Sequence, residues 1–421
     1  MLKLIAIAGA AIALSAAVVN KADAVAYIFT EAPRYDAKAW MGGRDRFPAG
    51  AALKLAGGRA VVPNFYASAD ASVLFDATHI LFSGKKNLTA RWQIWETALT
   101  NGSPRQITSG DTDCVRPFYL PEDRIVYTRV GRAESWIEST PLVGGKPSRL
   151  SFVPMRYLTD DVLRDGRILF EAGTNARELY TVYPDGTGVE AVRCDHGPDR
   201  GSGRQLASHD IIFETIDGLA RFTSSKAVQF DDLRNASGPI AEISDEQWIV
   251  GRRAKSGGVG LYRWDLGSKQ FAALEVASLN AVEPVIVAPR IAPTRFPSGL
   301  VTTRTAGNLL CLNARVSREP MPAGEIHKVR LYSQEGMLGE TEVERDGSFY
   351  VQVPADRAIR MELLDAAGHV LRAEHNWFWM RPSEQRVCVG CHAGPERSPE
   401  NKVPEILLKT TTPVKMLEAK R

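Results

Sequence analysis

Five cysteines in 421 residues are too few for a fold held by disulfides, and an odd number cannot all pair. The chain has one C-x-x-C, no second copy of it and no H-x-x-x-H among its seven histidines, so a zinc site of the double-hairpin kind has no ligand set. No G-x-S-x-G occurs, which removes the nucleophile elbow of an α/β-hydrolase. Lysine and arginine are spread along the chain and the formal net charge is +3, so nothing points electrostatically to nucleic acid or an anionic membrane. Beyond residue 19 no apolar run is long enough to cross a bilayer. What is present is a chain with 44% hydrophobic and 24% charged residues, enough to bury a large core.

The first residues read as an export signal. Lys3 supplies a positive start, residues 4–19 are apolar or small apart from Ser15, and Ala22-Asp23-Ala24 fits an A-x-A cleavage box. Residues 1–24 are therefore expected to be removed, leaving an exported, periplasmic protein with no membrane span.

A short apolar strand then recurs about every 43 residues: His79-Ile80-Leu81-Phe82, Arg124-Ile125-Val126-Tyr127, Arg167-Ile168-Leu169-Phe170, Asp210-Ile211-Ile212-Phe213 and Gln247-Trp248-Ile249-Val250. Turns such as Pro121-Glu122-Asp123 and Arg164-Asp165-Gly166 precede it, and a second strand follows, as in Trp92-Gln93-Ile94-Trp95 and Glu178-Leu179-Tyr180-Thr181. A four-stranded unit cannot bury both faces alone, so such units stack radially and close into a ring. The repeat predicts an all-β fold whose first domain, residues 45–283, is a TolB/WD-like β-propeller. Five blades are visible; a sixth, with room for a seventh, falls to residues 46–64 and the stretch after Leu274. The proline-acidic-glycine turn ahead of an I-x-F strand resembles the TolB-like propeller family over residues 60–270, a resemblance of scaffold and not of activity.

Pro284, Pro289, Pro293 and Pro297 stiffen a linker over residues 284–300. Alternating strands and the turns Asp346-Gly347-Ser348 and Asp365-Ala366-Ala367-Gly368 then predict a small β-sandwich-like domain over residues 301–372.

The most specific motif lies in the last segment, residues 373–421: Cys388-Val389-Gly390-Cys391-His392. Two cysteines at this spacing can each add across a porphyrin vinyl group, and the histidine that follows can reach the iron, so C-x-x-C-H reads as covalent haem c attachment. A redox dithiol, half a zinc site or a plain disulfide are the other readings of a bare C-x-x-C. Only a short, proline-containing tail follows His392, so the haem must be covered by the propeller or the sandwich. Met380, Met416 and His375 are the nearby candidates for the second axial position. Trp377, Phe378 and Trp379 either line the porphyrin or pack a core, and Arg381 either pairs with a propionate or lies at the surface.

In the propeller, Cys194-Asp195-His196 sets soft sulfur and imidazole two apart in a loop, a pairing suited to zinc or iron, and Cys114 in Asp111-Thr112-Asp113-Cys114 is placed to join it from another strand end. The other reading is that both cysteines are buried blade residues and His196 an ordinary loop histidine.

Asp346-Gly347-Ser348-Phe349, Val353-Pro354-Ala355-Asp356 and Arg381-Pro382-x-Glu384-x-x-x-Cys388-x-Gly390-Cys391-His392, followed by Pro399-Glu400-Asn401-x-x-Pro404, are similar to the middle domain of the hydrazine synthase alpha subunit, which also follows a propeller. The resemblance implies haem attachment at Cys388 and Cys391. It also implies that the motif histidine, His392, turns to a zinc ion held by propeller Cys, His and Asp ligands while a tyrosine four residues on binds iron. Glu396 stands at that place here, so His392 ligation of iron is the simpler expectation, with zinc at Cys194 or Cys114, His196 and His392 as the alternative. The family's further dihaem domain is missing from this sequence, so hydrazine synthesis is not expected. Two function classes follow. One is a monohaem cytochrome-like protein moving electrons or activating a small molecule with a redox partner or other subunits of a haem complex. The other is a propeller binding module whose haem is structural or sensory.

Overall fold

The computed structural model describes residues 25–418 apart from 101, 194–198, 223–226, 256, 277–278, 318–319, 375, 391–397 and 399. The described residues are almost wholly strands, with one 3-10 turn at Ala39–Gly42 and one short α-helix at Glu405–Lys409. Six sheets of up-and-down strands stand around a common axis. Their innermost strands, Ala67–Val73, Asp113–Leu120, Tyr157–Val162, Gly201–Gln205, Ala236–Ser244 and Asn280–Ile286, each contact the next and close a ring. The propeller therefore has six blades. The five repeated apolar strands are the second strands of blades 1 to 5, where Ile80, Leu81, Ile125, Leu169 and Ile249 are fully buried between neighbouring sheets.

Blade 6 is made from both ends of the domain. Tyr27–Ala32 pairs antiparallel with Asn280–Ile286 on one side and with Ala52–Leu55 on the other. The propeller thus begins upstream of residue 45, where the repeat first becomes visible. Tyr27–Ala32 carries no repeat signature of its own because its partner lies at the far end of the ring.

All six inner strands break register at the same height. Each carries a β-bulge opposite its neighbour, at Asp70, Arg116, Asp160, Ser202, Gly238 and Glu283. Asp70, Arg116, Ser202 and Glu283 take up positive φ there, between 55° and 59°. Asp70, Arg116, Asp160 and Glu283, from four of these bulges, meet in one buried cluster of ion pairs and hydrogen bonds. Arg46, from the loop that caps one end, pairs with Asp70 and Glu283. Arg116 reaches Glu283 at 3.2 Å and Asp160 at 2.9 Å. Burial opposes the charge on Asp70, yet Arg46 and Arg116 outweigh it and hold that carboxyl down at about 2.

The second domain is a sandwich of two four-stranded sheets. One has the order Gln385–Cys388, Ala306–Cys311, Phe349–Pro354, Val414–Lys415; the other runs Gly336–Glu342, Lys328–Ser333, Ile359–Leu364, Val370–Ala373. The outer strands of the first sheet come from the segment after residue 372, so the sandwich extends through the C-terminal part of the chain. Leu309, Val329, Leu331, Phe349, Val351 and Ile359 fill its core. Met380 and Met416 are buried in that same core, 0% and 2% exposed, which removes both as ligands to an iron outside it.

The two domains share a buried seam. Trp379 is buried against Phe152 and Tyr157 of the propeller, and its Nε1 donates to Gly186 O at 2.9 Å. Of the two roles open to the aromatic run, Trp379 takes the packing role. Arg381 is buried too: it donates to Arg149 O and Asp356 and stacks over Phe152, so it is not a surface arginine. The first residues expected in the linker, Pro284, Val285 and Ile286, belong instead to the blade 6 strand Asn280–Ile286, because they pair with Tyr27–Ala32. From residue 287 the chain crosses the propeller without a strand, held where Phe296 stacks on Tyr183 at 4.0 Å and Ser298 donates to Asp185. No helix among the described residues is long and apolar enough to cross a membrane.

Candidate functional site

Cys388 ends the strand Gln385–Cys388, which lies at the edge of the first sandwich sheet and pairs in parallel with Ala306–Cys311. It follows the domain seam directly. Glu384 accepts from Gly188 N at 2.9 Å, and Arg386 donates to Val189 O at 2.8 Å. Glu384 and Arg386 thus tie the start of this strand to residues 188–189, just ahead of the outer strand of blade 3, Glu190–Ala191. Cys391, His392 and Glu396, and Cys194 and His196 themselves, lie outside the described residues, as does His375.

The backbone around Cys388 is held tightly. A Cβ on Gly390 would stand 2.5 Å from Val316 O and 3.1 Å from Asn313 O, so the position accepts only glycine without movement of the 313–316 turn. That turn is itself anchored by Ala314 N to Gly347 O, within the Asp346-Gly347-Ser348 motif. Cys388 is half-buried and unpaired by any disulfide. Its Sγ donates to Gly390 O at 3.0 Å. A hydrogen bond from Cys311 holds its thiol down at about 7, against the effect of burial. This arrangement fits the group the motif implies: a reactive sulfur at a sheet edge, on a backbone pinned just ahead of the second cysteine.

Cys114 is placed differently. It is buried between blades 1 and 2 among Leu81, Ile94, Tyr119, Ile125 and Tyr127, and burial pushes its thiol up to about 11. Among the described residues no three His, Cys, Asp or Glu side chains come together as a metal site.

Sequence reading missed the charged interior of the propeller. Beyond the axial ring, Arg177 is 1% exposed and holds Asp199 at 2.9 Å and Glu214 at 3.2 Å, with Glu171 at 3.6 Å. Burial first, then the neighbouring Asp160, push the Glu171 carboxyl up to about 8. A signal was available: Asp70, Arg116, Asp160 and Ser202 each sit eight to ten residues ahead of Ile80, Ile125, Ile168 and Ile211. A carboxyl whose folded pKa exceeds its unfolded one stabilises the fold below the unfolded value and loses that contribution as pH rises through the folded value. Propeller stability should therefore fall between about pH 5 and pH 8, by up to about 1.4 kcal/mol per unit from this group. Glu171→Gln keeps an acceptor for Ser202 N and should flatten that slope, measured by urea denaturation across the same pH range.

Comparison with known proteins places the second domain. Residues 314–393 match the family model of the hydrazine synthase alpha subunit middle domain. The match takes in the glycine-bearing Asp346-Gly347-Ser348 turn, the seam residues Trp379, Arg381 and Glu384, and the motif through His392. Hydrazine synthase subunit alpha of Kuenenia stuttgartiensis is 35% identical over 66 residues, 16% of this chain and 8% of that protein. The chain thus aligns with a small part of that relative's length. The structure of Kuenenia stuttgartiensis hydrazine synthase superposes with a TM-score of 0.77 at 16% identity, over 91% of this chain and 71% of that one. TolB from Acinetobacter baumannii superposes at 0.50 with 13% identity, over 63% of this chain and 67% of its own. The propeller is TolB-like, and the hydrazine synthase chain superposes on the propeller and the sandwich together.

Proposed function

We propose that this protein is an exported haem c protein in which Cys388 and Cys391 hold the porphyrin through thioether bonds, acting in electron transfer or small-molecule redox chemistry with a partner protein. The observation that carries the reading is the fit of the C-x-x-C-H segment to a hydrazine synthase middle-domain model, on a backbone pinned at Gly390 and Cys388. When bound, haem c supplies one-electron redox chemistry or an iron site for a small ligand. The chain's own part is to anchor and orient. The domain seam fixes the Cys388 strand against blade 3 through Glu384 and Arg386, and the buried Trp379 holds that seam in place.

His392 is the iron ligand in this reading, because Glu396 replaces the tyrosine that would free it for another metal. The hydrogen bonds that tie Glu384 and Arg386 to residues 188–189, a few positions ahead of Cys194 and His196 in the sequence, favour a second reading, a zinc ion shared by those two residues and His392. The name of the Kuenenia relative, a subunit, supports a place for this chain in a larger redox assembly.

Export of the full chain alongside a haem c maturation system tests the proposal. The mature protein should keep its haem through denaturation and acid extraction, and Cys388→Ala with Cys391→Ala should abolish that colour. A colourless wild-type protein with both thiols unmodified by mass, while a control cytochrome matures, would sink it and leave the binding-module reading. Elemental analysis separates the two metal readings, since only the second requires zinc beside iron and its loss in His196→Ala.

A further inference from the structure

Cys311 and Cys388 stand directly opposite one another in the parallel pairing of Ala306–Cys311 with Gln385–Cys388. Directly opposed residues on neighbouring strands point to the same face, and strands lie about 4.8 Å apart, inside the range of Cα separations that a disulfide spans. Both side chains belong to the same sandwich core, Cys311 being 3% exposed and Cys388 packed against it. The strands are held in register on both sides of the pair, by Asn308 N to Glu384 O and by Leu312 N to Cys388 O, each at 2.8 Å. Haem attachment gives Cys311 no role, and Cys114 lies in the propeller, in another core.

We propose that Cys311 and Cys388 form a disulfide in the exported apoprotein, and that this bond gates the chemistry of Cys388. The bond forms by thiol–disulfide exchange with an oxidised dithiol protein of the cell envelope. The two cysteines lose two electrons and two protons, the S–S bond of the oxidant breaks, and its two sulfurs leave as thiols. A reduced dithiol protein reverses the exchange. Only then is the Cys388 S–H free to add across a vinyl group, its sulfur bonding one carbon and its hydrogen the other, with no further electron change. The disulfide stands apart from the haem reading; its role as a gate rests on it.

The full chain exported without haem maturation decides the first part. Thiols are trapped with an alkylating agent in acid, and the unreduced protein is digested for mass analysis. The peptides carrying Cys311 and Cys388 should appear joined, and separate after reduction. Finding both alkylated without reduction, or Cys388 joined to another cysteine, overturns the disulfide. The gate is read on the same apoprotein supplied with haem and no dithiol: Cys311→Ala should acquire covalent haem about tenfold faster than wild type, and added dithiol should erase the difference. Equal rates overturn the gate. If neither protein takes haem even with dithiol, the haem reading has failed, while the joined peptides still decide the disulfide.

Discussion

Arg116→Met should destabilise the propeller by about 3–5 kcal/mol at neutral pH, the range for removing one partner of a buried ion pair. Arg116 is 4% exposed, and the groups it neutralises, Asp160 and Glu283, are 0% and 3% exposed. Its Nε also donates to Thr159 O at 3.0 Å, so the substitution leaves the Thr159 carbonyl and Asp160 Oδ1 inside the ring without their donor, and Glu283 with Arg46 alone. Methionine fills most of the volume, so the loss is electrostatic rather than a cavity. Burial already pushes both carboxyls above their ordinary range, and removal of the guanidinium pushes them further. The variant's deficit should therefore shrink as pH falls from 8 towards 5.5, because protonation replaces the missing positive charge. Urea denaturation at the two pH values measures this. The exposed pair of Arg234 and Asp231 is the control: Arg234→Met should change stability by less than about 1 kcal/mol at either pH. An equal loss in both variants, or no pH dependence in Arg116→Met, would remove the axial ring as a source of stability.

Trp379→Ala should cost a similar amount, about 3–5 kcal/mol, for a different reason. The indole fills the seam between Phe152, Tyr157 and Ala358, and its Nε1 satisfies Gly186 O. Truncation opens a cavity between two domains that each keep their own core, so the effect should fall on their coupling. Calorimetry of the wild-type chain should give one transition, and of Trp379→Ala two, with the sandwich melting first. Val387→Ala, on the same segment but 58% exposed, should stay within about 0.5 kcal/mol of wild type. If the haem reading holds, Trp379→Ala should also lower the yield of haem-bearing protein, because the strand presenting Cys388 leaves the seam through Glu384 and Arg386.

Local patterns carried much of the fold into view. Alternating apolar strands such as Ile80–Phe82 and Ile168–Phe170, bounded by acidic and glycine turns, mark hairpins because a strand's burial pattern and a turn's backbone needs are written in adjacent residues. Their recurrence marks a propeller because a single blade cannot cover both its faces. The glycine of the C-x-x-C-H motif was legible only as a spacer, and the 313–316 turn it must clear came from another part of the chain.

From sequence alone came the all-β class, the bladed repeat, the sandwich after the proline-rich linker, and the motif whose chemistry the proposal rests on. Those are properties of neighbouring residues, and short-range geometry is enough to write them. The count of six blades, their closure by Tyr27–Ala32, the ring of Asp70, Arg116, Asp160 and Glu283, the burial of Met380 and Met416, and the meeting of Cys311 with Cys388 were decided only in three dimensions. Each joins residues dozens to hundreds of positions apart, and which of them share a buried space depends on how the whole chain fills its volume.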